Sequence, residues 1–296
     1  MATLLVATTA WSSADDPNPK GTETGRLQTN DAVDTGRNPS GPTNRGLNRR
    51  PPSQSDVPYR PANHPAHTLC VLDVHVPSSA AADRRLPTLV WFHGGGLTSG
   101  DKKLPKSLRD QPFLVVSVAY RLTPKVTVAD CIDDAAAAVA WTLDNIDAHG
   151  GDPDRVFVSG HSAGGYLTMM VGLNGNYLDR YGKTPADLRG LIPLSGHTIT
   201  HFTRRKEMGL DDTDVIVDDM APLRHVCKDA PPILCVTGDR ELELLGRYEE
   251  NAYFTRMLQV VGHSDATLEE LGGFDHGGMV HPAIPLVNKF ITRQSR

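Results

Sequence analysis

Ser162 stands in the run Gly160-His161-Ser162-Ala163-Gly164-Gly165, a G-x-S-x-G pattern. A serine hydroxyl becomes a nucleophile only when a base takes its proton, and acyl transfer also needs donors aimed at the oxygen that turns negative. Residues of both kinds are present. His93-Gly94-Gly95-Gly96 lies well upstream, where consecutive glycines let backbone N–H groups approach a small anion. Gly95 and Gly96 are the expected donors, with Ala163 as a third; His93 orients the loop. His276, in the glycine-rich run Gly272 to Gly278, is the expected base, and His263 the second candidate. A carboxylate must hold the imidazole in one tautomer. Asp239 and Glu241, two residues apart after an apolar run, are both candidates, and Arg240 between them can neutralise one locally.

These residues need a scaffold that brings distant loops together. The hydrophobic pattern supplies one. Leu69 to Val76 alternates as an early strand, while Thr88 to Phe92 and Phe113 to Val118 are nearly continuous apolar runs, as are Val156 to Val158 and Ile233 to Val236. Strands buried on both faces read this way. Thr267 to Leu271 reads as the last strand. Helical segments alternate with them. One runs from about Val128 to Ala148, with Val139, Leu143 and Ile146 on one face; Gly150 and Gly151 stop it and Asp152-Pro153 turns the chain. A second runs from Glu249 to Val261 and stops at Gly262. The expected fold is α/β, a doubly wound, mostly parallel sheet, whose chemistry lies at the C-terminal ends of the strands. Ser162, the HGGG run, the acid candidates and His276 all follow such strands.

The chain has 296 residues and a net charge of −5, without a long basic block, which argues against a nucleic-acid partner. No apolar run is long enough to span a bilayer. The four cysteines, Cys70, Cys131, Cys227 and Cys235, have no zinc-like spacing; a Cys227–Cys235 disulfide is one expectation, buried small hydrophobes the other. His197 and His201 are four apart, a spacing that shares a helix face, but no adjacent carboxylate motif makes a metal site of them. No metal or cofactor is expected. Residues 1–56 read as a leader: Thr3 to Ala10 is apolar like the core of a secretory signal, though the first lysine is Lys20, and Ser12 to Asp56 is too polar to offset its ordering entropy. Export is the expectation that follows, with the cytoplasm as the alternative. The folded domain is expected over 57–296.

HGGG, Tyr120-Arg121-Leu122, Gly150 to Val156 (GGDPDRV) and GHSAGG together resemble the carboxylesterase branch of the α/β-hydrolase superfamily, over about Val57 to the C-terminus. The order serine, acid, histidine is also that superfamily's. GHSAGG, in place of GDSAGG, leans towards small acetyl-xylan and feruloyl esterases and aryl formamidases. The resemblance implies a serine carboxylesterase acting on small-molecule esters of short acyl or aromatic groups, including esters on carbohydrates. It implies a triad acid three residues after the strand's glycine, which here is Glu241, and a capping role for the polar stretch from Ser195 to Val226, which the residues alone also allow as a solvated insertion. A formamidase or peptidase using the same residues, and a binding protein that keeps the fold without catalysis, are the alternatives.

Overall fold

The computed structural model describes residues 52–78, 84–244 and 246–296. The leader and secretory expectations fall outside these, apart from 52–56, where β1 (Gln54–Pro58) begins inside the stretch read as leader.

A single sheet carries the site. Its strands are β1, β2 (Val71–His75), β3 (Leu86–Phe92), β4 (Leu114–Val118), β5 (Gly151–His161), β6 (Gly190–Leu194), β7 (Ile233–Gly238) and β8 (Ala266–Leu271). They lie in the order β1-β2-β4-β3-β5-β6-β7-β8. β1 pairs with β2 and β2 with β4 antiparallel; the remaining pairs are parallel. The sheet is thus mostly parallel, as expected. The sequence reading lacks β1 and β6, and it differs at β5, which already begins at Gly151 and so absorbs the Asp152-Pro153 pair expected to be a turn.

Alternate residues face opposite layers. Val90, Phe92, Val116, Val118, Val156 and Val158 pack with the helices α1 (Val128–Asn145), α2 (Ala163–Leu173), α3 (Gly175–Asp179) and, further along, α5 (Arg247–Val260). Leu89, Trp91, Val115, Phe157, Ile192 and Val236 pack on the other face, largely against α6 (Val280–Gln294). Burial on both faces explains why the inner strands read as continuous apolar runs. No helix among the described residues is long and apolar enough to cross a membrane. Cys227 and Cys235 are both free thiols, Cys227 exposed and Cys235 buried, so the pairing considered from sequence does not form.

The helix α1 begins in a capping box: the Thr127 side chain accepts from Asp130 N and the Asp130 carboxylate accepts from Thr127 N. That frees its alanine-rich face to pack closely, and places Asp134 in the interior. Asp134 accepts from Arg60 Nη2 at 2.6 Å and from Arg121 Nε at 2.7 Å and Nη2 at 2.9 Å. The Tyr120-Arg121 pair therefore has a structural purpose. Arg121 ties the loop after β4 to α1, and Tyr120 Oη donates to His93 O at 2.8 Å, bracing the HGGG loop. Removing one partner of a buried ion pair leaves the other uncompensated. Asp134→Ala, which leaves Arg60 with Asp133 alone and Arg121 with Asp130 at 3.9 Å, is expected to lower unfolding free energy by about 2–4 kcal/mol. Urea unfolding followed by circular dichroism measures it; a loss below about 1 kcal/mol would show the network to be peripheral to stability.

Candidate active site

The elbow after β5 is set by two close approaches. A Cβ built on Gly164 would lie 2.0 Å from Phe92 O, and one on Gly160 would lie 2.5 Å from Gly164 C. Strand β3, strand β5 and helix α2 thus meet with room for no side chain at either position. Between them Ser162 takes φ 57° and ψ −115°, a left-handed conformation rare for a residue with a side chain. Strain held at one residue by its packed surroundings marks a functional turn, and here it projects the hydroxyl off the end of the sheet.

Over the serine lies the HGGG loop. A Cβ on Gly94 would touch Ser162 Cβ at 3.3 Å. Gly95 and Gly96 have φ of 113° and 63°, open to glycine alone at no cost. Among the described residues no acceptor takes the amide N–H of Gly95, Gly96 or Ala163, the last being the first amide of α2. A helix's first amides have no partner within the helix, and they attract negative charge. His93 stacks on Tyr120 with ring centres 4.3 Å apart, and its Nδ1 bonds Gly94 O at 2.7 Å. It shapes the loop and does not face Ser162 as a base.

His276 follows β8, in the expected loop. Its Nδ1 lies 2.8 Å from Glu243 Oε2 and 2.9 Å from Ser195 Oγ. The carboxylate on the imidazole is therefore Glu243, and neither sequence candidate for the acid reaches it. Glu241 is exposed. Asp239 accepts from Gly273 N at 2.7 Å and from Glu241 N at 2.9 Å, which ties the two loops together instead. The cause is local. After β7 the chain makes a tight turn, with Leu242 N and Glu243 N both donating to Asp239 O. That turn sends Glu241 outwards and folds Glu243 back, where its Oε1 also accepts from Gly238 N at 2.9 Å. A third carboxylate in the same loop is the signal the sequence offers; the turn that selects it is not readable there.

Burial alone would raise the Glu243 carboxyl, but hydrogen bonds from His276, Ser195 and Gly238 N outweigh it and hold it down to about 2. An ionised Glu243 keeps the proton of His276 on Nδ1 and leaves the Nε2 lone pair free. Ser195, which no sequence motif singles out, sits at φ 48° immediately after β6, its hydroxyl beside the Glu243–His276 pair. His161, the variable residue of the elbow motif, also meets the histidine loop. Its Nε2 donates to His276 O at 2.7 Å, and its ring centre lies 4.6 Å from that of His276. Burial, then the proximity of His276, lowers its pKa to about 4, so it stays neutral beside the second imidazole. The other candidate base is excluded by position: His263 Nε2 bonds Ala230 O at 2.9 Å and its Nδ1 accepts from Asp265 N, at the opposite end of β7 and β8.

The stretch from Ser195 to Val226 packs inwards over this site. Helix α4 (Phe202–Glu207) presses Phe202 against Gly96, where a Cβ would lie 3.0 Å from its ring, and Thr203 Oγ1 donates to Gly96 O at 2.6 Å. At its far end Glu207 accepts from Val128 N at 2.8 Å. His197 and His201 share no helix face: both precede α4, and His201 Nδ1 accepts from Thr203 N at 3.1 Å as the helix begins.

A strained serine elbow, a carboxylate-bound histidine and a glycine loop on a sheet of this order define an α/β-hydrolase of the carboxylesterase branch. Residues 72–244 match the BD-FAE family model, and the chain belongs to the BD-FAE family. It is 27% identical over 210 residues to Esterase LipC of Mycobacterium tuberculosis, covering 65% of this chain and 51% of that one. It is 36% identical over 223 residues to Carboxylic ester hydrolase LipN of the same organism, covering 64% and 57%. The chain spans about half the length of the curated relatives it matches. A truncated carbohydrate esterase from gut microbiota has the same fold, with a TM-score of 0.67 at 18% identity over 83% of this chain and 97% of that one.

The depressed Glu243 pKa has a consequence for stability. A carboxylate whose folded pKa lies below its unfolded value, about 4.3 for glutamate, stabilises the fold above that value and loses the contribution as pH falls through the folded one. The stability difference between the wild type and Glu243→Gln is therefore expected to be full at neutral pH and to shrink from near pH 4 towards pH 2. Denaturant unfolding at a series of pH values checks this; a difference independent of pH would mean that the ionised carboxylate is not what stabilises.

Proposed function

We propose that the chain is a serine carboxylesterase that hydrolyses esters of short acyl or aromatic acids, including those on carbohydrates, through an acyl-enzyme. The observation that carries this reading is the ionised Glu243 on His276 Nδ1, beside a strained Ser162 roofed by unpaired amides. His276 Nε2 takes the proton of Ser162 as Oγ adds to the ester carbonyl. The carbonyl oxygen, now negative, takes hydrogen bonds from Gly95, Gly96 and Ala163 N–H, each worth about 2.7–4 kcal/mol in the transition state. Collapse breaks the bond to the alcohol, which leaves with the proton held on His276. Water then repeats the sequence on the acyl-enzyme, giving up its proton to His276 and releasing the acid with Ser162 restored. Glu243 stays ionised throughout and stabilises the imidazolium.

Short acyl groups fit a loop closed on one side by Phe202, in contact with Gly96. The names of the M. tuberculosis relatives support ester hydrolysis, and that of the gut-microbial neighbour is the support for carbohydrate esters.

Purified protein is expected to hydrolyse p-nitrophenyl acetate, with activity abolished in Ser162→Ala. Glu243→Gln should lower kcat by about 10⁴-fold, as loss of a triad carboxylate does, while Glu241→Gln stays within about twofold of wild type. Equal activity in wild type and Ser162→Ala would refute the nucleophile; equal losses at Glu241 and Glu243 would refute the acid.

A further inference from the structure

Beside the site, between the cap and the start of α5, lies a cavity of about 750 Å³. Its walls are partly apolar, with Phe202 from α4 and Val215 and Leu244 near the opening. Its inner wall is not. Arg205, 3% exposed, and Arg247, 2% exposed, both line it. Arg205 Nη1 donates to Asp214 O at 2.5 Å, its Nε is buried without a partner, and no carboxylate among the described residues lies within 4 Å of it. Arg247 Nη1 donates to Ser195 O, its Nε has no hydrogen-bond partner, and the carboxylate nearest it, Glu250, stands 3.9 Å away. His197, also on the wall, spends Nδ1 on Glu250 and leaves a buried Nε2 without a partner.

A buried charge without a counter-ion costs several kcal/mol, and a folded protein keeps one where something else supplies the opposite charge. Glu250, 3.9 Å from Arg247 Nε, and Glu243 offset Arg247 in part, but no carboxylate of the cavity pairs with Arg205. Glu250 is already engaged, by His197 Nδ1 and by Thr198 N at 2.9 Å. Glu249 pairs at the rim with Arg240 at 2.7 Å, and Asp212 is exposed. Arginine's planar fork of donors suits a carboxylate above other anions of one charge. The position ties this group to the reaction: Arg247 holds the carbonyl of Ser195, whose hydroxyl touches His276.

We infer that this cavity is a subsite for a carboxylate carried by the ester substrate itself, held by Arg205 and Arg247 at a short remove from the scissile bond. The inference rests on the esterase reading and adds the substrate class: acidic esters, in which a free carboxylate accompanies the bond that is cut.

Two substrate pairs test it, each a neutral and an anionic ester: p-nitrophenyl acetate against p-nitrophenyl hydrogen succinate for a carboxylate on the acyl side, and phenyl acetate against p-acetoxybenzoate for one on the alcohol side. In Arg205→Gln the ratio of kcat/KM for anionic over neutral ester is expected to fall about tenfold or more in one of the pairs, through KM. Val215→Glu, at an exposed position of the opening, should lower the same ratio and decides the matter if Arg205→Gln does not fold. An unchanged ratio in both pairs overturns the subsite while leaving the esterase intact. If the wild type cleaves no ester, the esterase reading fails separately, and calorimetry with succinate and benzoate then judges the subsite: binding lost in Arg205→Gln supports it, and no binding by the wild type overturns it.

Discussion

The contact between Gly164 and the carbonyl of Phe92 is the constraint on which the rest of the molecule turns. Packing β3, β5 and α2 so closely forces the link between strand and helix into one residue's worth of left-handed backbone, and that residue is Ser162. The same approach brings the HGGG loop, which continues β3, over the serine, because the strand that touches α2 is the strand that feeds the loop. The candidate nucleophile and the candidate anion donors are therefore set by one steric fact. The hydrophobic layers on either side of the sheet hold that fact in place, since the strain at Ser162 persists only while its neighbours cannot relax.

Around this centre the histidine is fixed from two sides. Glu243 and Ser195 hold the ring at Nδ1, and His161 holds the backbone at the carbonyl. A neutral histidine suits that second contact, because an ionised carboxylate in its place would have no proton to donate to a carbonyl oxygen. His161 thus links the serine's own turn to the loop bearing the base, and the two catalytic candidates are positioned relative to each other by a hydrogen bond that bypasses their side chains.

What can be read from sequence is what is local. The elbow and the glycine loop are runs of consecutive residues whose geometry follows from their composition, and the inner strands announce themselves through burial on both faces. The carboxylate on His276 escapes such a reading because its identity depends on a turn: three carboxylates share the loop after β7, and only the turn closed on Asp239 O decides that Glu243 and not Glu241 folds back. Ser195 is unreadable for a related reason, its contact with His276 spanning 81 positions of sequence. Helix α6 is obscured by Pro282 and Pro285, which a sequence reading takes as breaks, and β6 by Pro193 within it. The stretch from Ser195 to Val226 reads equally as a cap or as a solvated insertion because its polar residues are many, yet Thr198, Thr200, His201 and Arg205 are all buried in it.

The way α4 is moored bears on two parts of the molecule at once. One end is bonded to the glycine loop at Gly96 and the other supplies the acceptor for the first amide of α1. A segment anchored in this manner couples two distant places, since displacing it would break the bond to the glycine loop and the bond to the first turn of α1 together. A change at either mooring is therefore felt at both places, by the glycine loop and by the start of α1.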